Sequence, residues 1–79
     1  MIDRTEVEKT LAETRRRRDE AEAEAGHAAR ELVRLAGGSV PLLELDTDSV
    51  RAAADTYADA AQRLKLLEEA ARQLRSLLM

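Results

Sequence analysis

Apolar residues recur along the last third of the chain at alternating steps of three and four: Val50, Ala53, Tyr57, Ala60, Leu64, Leu67, Ala71, Leu74 and Leu78. That spacing puts all of them on one stripe of an α-helix. A strict three-four alternation averages about 3.5 residues per turn, so the stripe winds slowly and calls for a partner helix along its whole length. The same alternation runs upstream through Val7, Leu11, Thr14, Arg18, Ala21, Ala25, Ala28, Leu32 and Leu35, with Thr14 and Arg18 as its polar rungs. The pattern therefore predicts two helices, over residues 3–36 and 46–78.

The punctuation agrees with those limits. Asp3 or Thr5 is placed to cap the first helix, and Glu6 and Glu8 suit the positive end of its dipole. Gly26 costs about 1 kcal/mol relative to alanine, yet the periodicity runs through it, and the neighbouring alanines would also permit close approach of another backbone. Gly37-Gly38 ends the helix, because a glycine takes the left-handed C′ position without a Cβ clash, and Pro41 forbids an immediate restart. Asp46 opens the second helix, with Leu45 and Val50 at hydrophobic-staple spacing and Asp48 in the first turn. A connector over 37–45 makes antiparallel neighbours of two rods, each about 45 Å long.

Folding there pairs Leu35 with Val50, Leu32 with Ala53, Ala28 with Tyr57, Ala25 with Ala60, Ala21 with Leu64, Arg18 with Leu67, Thr14 with Ala71, Leu11 with Leu74 and Val7 with Leu78. The phase holds over the full length. The expected fold is all-α, an antiparallel two-helix hairpin resembling a coiled coil, with one domain over 1–79. Near the connector the seam is mostly alanine, with Tyr57 as the large filler. Toward the termini, leucines of the second helix face Thr14 and Arg18, and that half is underfilled by one hairpin. Dimerisation into a four-helix bundle is the expected remedy.

Composition sharpens this expectation. A chain of 79 residues with a single tyrosine and no Trp or Phe lacks the bulky anchors that thicken a small core. With no cysteine there is no disulfide framework, thiolate metal site or cysteine nucleophile. The start has no apolar leader pattern and no run reaches the roughly 20 apolar residues of a membrane span, so a soluble cytoplasmic protein is expected. The net charge of −3 argues against a general nucleic-acid platform but leaves room for a local basic face.

That face would be Arg15, Arg16, Arg17 and Arg18, a block that sprays around the helix without interleaved aromatics. Asp19, Glu20 and Glu22 stand at i+4 to Arg15, Arg16 and Arg18, and Glu13 precedes Arg17 by four, so the block is expected to be largely self-paired. Arg18 lies on the seam beside Glu68, where a polar rung sets register or its stem carries the charge to Glu68 or to an acid of another copy. Glu24-x-x-His27 has the spacing of ferritin-like metal helices, but His27 points off the seam and is the only histidine; further ligands would have to be Glu68 or Glu69 of other copies. No nucleophilic triad, phosphate loop or paired buried carboxylates can be assembled, so neither enzyme activity nor a bound cofactor is expected.

The connector is unusually apolar, carrying Val40, Leu42 and Leu43, and Leu66 and Leu77 lie off the seam of the second helix. Together these five residues form the expected partner interface. The layout is similar to several unrelated groups of small hairpins, among them dimeric RNA-binding regulators, secretion chaperones and secreted Trp-x-Gly hairpins. The last resemblance fails at its motifs: Gly37-Gly38 has no Trp, and Ala61 stands four residues after Tyr57. The expectation is a non-enzymatic adaptor acting by self-association and protein binding. The alternatives are a nucleic-acid regulator using Arg15, Arg16 and Arg17, and an oligomeric metal-binding hairpin.

Overall fold

The computed structural model describes residues 3–37 and 47–79. Helix α1 spans Arg4–Gly37 and helix α2 spans Thr47–Leu78, each within a residue of the limits read from the periodicity. Asp3 is the residue that caps α1. Its Oδ1 accepts the Thr5 N–H at 3.0 Å and its carbonyl accepts the Val7 N–H at 3.1 Å, satisfying donors that the first turn leaves open. Glu6 and Arg34 complement the dipole of α1, as Asp48 and Arg75 do that of α2. Gly37 is still helical, and no described glycine adopts positive φ. The proposed staple and cap at Leu45 and Asp46, together with Gly38 and Pro41, lie outside the described residues.

The two helices pack antiparallel along their length. Residues late in α1 share grooves with residues early in α2, as Leu35 does with Ser49, and the order reverses toward the termini, where Arg15 shares a cleft with Glu68. The product is a rod with extents of 61 × 14 × 14 Å and a radius of gyration of 17.7 Å. A compact domain of this length has a radius of gyration of about 12 Å. The difference is the missing third layer: each helix covers one stripe of the other and nothing more.

The buried seam consists of Val7, Leu11, Thr14, Ala21, Ala25 and Ala28 on α1, and of only Ala60 and Ala71 on α2. Thr14 is accommodated because its hydroxyl donates to the Thr10 carbonyl at 2.7 Å, which satisfies that group within its own helix. Leu64, Leu67, Leu74 and Leu78 stay half-buried even though they occupy the seam.

Two expectations are corrected here. Tyr57 does not fill the connector-proximal seam: it is 43% exposed, whereas Ala60, one rung on, is 0% exposed. The buried alanines Ala25, Ala28 and Ala60 hold the helices close and leave little volume for a phenol between them, so the tyrosine stays largely outside the seam. Gly26, in turn, is no point of backbone contact. A Cβ built on it would meet only the Arg30 guanidinium, at 3.6 Å.

Candidate functional site

Two flanks of the rod carry different chemistry. On the first, Leu66 and Leu77 are 62% and 54% exposed. They are eleven residues apart, three helical turns, so they stand on one stripe with Ala70 between them. Leu66 and Leu67 line a groove with Arg17, Ala21, Glu24 and Arg63. The groove floor is therefore apolar and its far wall charged. Val33, 71% exposed, adds an apolar side chain on the outer surface of α1. Val40, Leu42 and Leu43, the connector part of the expected interface, lie outside the described residues.

On the second flank, Arg15 and Arg18 of α1 face Lys65, Arg72 and Arg75 of α2 across a cleft. Glu68, Glu69 and Ala71 complete its lining. Arg18 donates to Asp19 Oδ1 at 3.1 Å and makes no pair with Glu68, although the two share the cleft. Its Nε is covered and has no hydrogen-bond partner in the protein, while the rest of the side chain is 39% exposed. Arg72 pairs with Glu69. Among the described residues, the side chains of Arg15, Lys65 and Arg75 make no ion pair or hydrogen bond.

The arginine block thus divides. Arg16 pairs with Glu20 and Arg17 pairs with Glu13 at 3.2 Å, as the spacing predicted, and Arg16 also pairs with Glu13, three residues before it. The expected Arg15–Asp19 and Arg18–Glu22 pairs do not form. The Arg16 hydrogen bond, with the Arg17 one behind it, holds the Glu13 carboxyl below the usual carboxylate range. At the other end of α1, the Arg34 hydrogen bond does the same to Glu31. Arg16 and Arg17 are consequently occupied, and only Arg15 and Arg18 of the block reach the cleft. Lys65, Arg72 and Arg75 were missed in the sequence reading, although their spacing of seven and three was the available signal.

Glu24 accepts a hydrogen bond from Arg63 Nη2 at 2.7 Å, and His27 is exposed. Among the described residues, no three His, Cys, Asp or Glu side chains are grouped to hold a metal ion. No helix among them is long and apolar enough to cross a membrane. No protein-family model, curated protein or solved structure matches the chain.

Proposed function

We propose that this protein is a cytoplasmic, non-enzymatic adaptor that completes its core by pairing with a second copy into a four-helix bundle and presents the remaining surface to another protein. One observation carries the reading: α2 aligns four leucines on the seam, and a single hairpin leaves Leu64, Leu67, Leu74 and Leu78 all half-buried. Each fully covered leucine contributes about 1.5–3 kcal/mol relative to an exposed one, so a second hairpin laid over this half recovers a large share of the stability that the single rod lacks. Exposed Leu66 and Leu77 extend the same apolar surface outward.

Light scattering coupled to size-exclusion chromatography tests this. A dimer mass is expected, with a melting temperature that rises with protein concentration. Replacing both Leu66 and Leu77 by glutamate should return a monomer of lower helicity. A well-folded monomer at every concentration overturns the reading.

A further inference from the structure

The flank away from Leu66 and Leu77 changes character along its length. Toward the connector, helical spacing lines up Gly26, Ala29 and Val33 of α1 and Ala54, Ala58 and Ala61 of α2, with the exposed Tyr57 between them, so neither stripe carries a charge there. Toward the termini both stripes are charged, with Glu8, Arg15, Asp19 and Glu22 on α1 and Lys65, Glu68, Arg72 and Arg75 on α2. We propose that this flank is a second self-association face, on which another copy lies with its connector at the same end, α1 of each along α2 of the other. This contact goes beyond pairing through the leucine stripe and uses the opposite face of the rod.

Charge carries the assignment. A two-fold axis parallel to the rods permits no lengthwise slip, so α1 and α2 of different copies meet in the register they have within one hairpin, where facing numbers sum to about 85. That register sets Glu8 against the second copy's Arg75, Arg15 against its Glu68, and Asp19 and Glu22 against its Lys65, opposite signs each time. Arg72, already paired with Glu69, comes opposite Ala12. The uncharged halves coincide as well: Gly26 and Ala29 meet Ala58 and Ala54, small against small, and the Arg51 stem covers Val33. Tyr57 arrives level with Gly26, where the space above the backbone holds only the end of Arg30. Arg15, Glu22, Lys65, Glu68 and Arg75 are open to new partners, since none makes an ion pair or hydrogen bond among the described residues. The face is 61 Å long and 14 Å wide, about 850 Å², close to the roughly 800 Å² per partner of a standard interface. Alanines and water-exposed ion pairs contribute less than leucines, so this contact forms at higher concentration than the leucine one and weakens in salt.

The chain has no cysteine, so introduced thiols report the register directly. In G26C/A58C, oxidation should link residue 26 of one copy to residue 58 of the other and give a covalent dimer, whereas G26C or A58C alone should not, because like positions stand diagonally across the contact. Sedimentation equilibrium of the unmodified chain should show a mass above the dimer that rises with concentration and falls with salt. K65E, which sets like charges against Asp19 and Glu22 twice in each contact, should weaken that step about tenfold or more, and E22K/K65E should recover most of the loss. Crosslinking of G26C/A58C with a parent mass that L66E/L77E leaves unchanged would remove the leucine reading and keep this one. A dimer that L66E/L77E dissociates, with no mass above it and no linkage between positions 26 and 58, overturns this contact alone. Association that K65E leaves unchanged overturns it too.

Discussion

Arg63 Nη2 of α2 donates to Glu24 Oε2 of α1 at 2.7 Å, an ion pair that crosses the seam and ties residues 39 positions apart. It is the only interhelix ion pair among the described residues, and it fits the antiparallel register that the two apolar stripes dictate. Both side chains are about half exposed, so water and salt screen the pair and its contribution is at most about 1 kcal/mol. A double-mutant cycle with Glu24→Gln and Arg63→Gln should return a coupling of about 0.2–1 kcal/mol that shrinks in high salt. A coupling near zero in low salt would assign the register to the apolar seam alone.

Gly26 lies inside a helix that has room for a side chain, since a Cβ there meets only the flexible end of Arg30. Gly26→Ala should therefore stabilise the protein by about 0.5–1 kcal/mol, through lower backbone entropy in the unfolded chain. Urea unfolding of the two proteins compares them directly. A destabilised alanine variant would mean that a neighbour in the assembled protein needs that space.

Ala60 is fully enclosed and sets how closely the helices approach. Ala60→Leu should cost about 1–3 kcal/mol, because the added atoms force the rods apart or into poor rotamers. The same enlargement at Ala58, on the exposed surface of α2, should change the melting temperature little. Equal effects at the two positions would contradict the tight alanine seam.

Acid should weaken the folded state in part through Glu13 and Glu31. Hydrogen bonds from Arg16 and Arg34 depress their folded-state titration, so the fold binds these protons less tightly than the unfolded chain does. Their contribution is present above the ordinary carboxylate range and is lost as pH falls through the depressed values. Carboxyl NMR titration should find Glu13 and Glu31 among the most acidic glutamates, and Arg34→Gln should return Glu31 to the ordinary range without moving Glu13.

Much of the architecture was readable before any coordinates. Alternating steps of three and four from Val7 to Leu35 and from Val50 to Leu78 specify which residues share a stripe, because helical periodicity is a property of the backbone alone. Asp3 marked the start of α1 for an equally local reason, the unmet hydrogen bonds of its first turn, whereas Gly37, expected in the left-handed conformation that ends a helix, is still helical. Packing decided the rest. Tyr57 and Ala60 have equal claims to the seam by spacing, and the close approach set by Ala25, Ala28 and Ala60 admits the methyl and excludes the ring. Arg15 and Arg18, three residues apart, share a stripe by helical periodicity alone, as do Lys65, Arg72 and Arg75, but that these two stripes meet across one cleft was set by the rotation of one helix against the other. Such a juxtaposition depends on interhelix distance and side-chain volume summed over the whole seam, so no single stretch of sequence contains it.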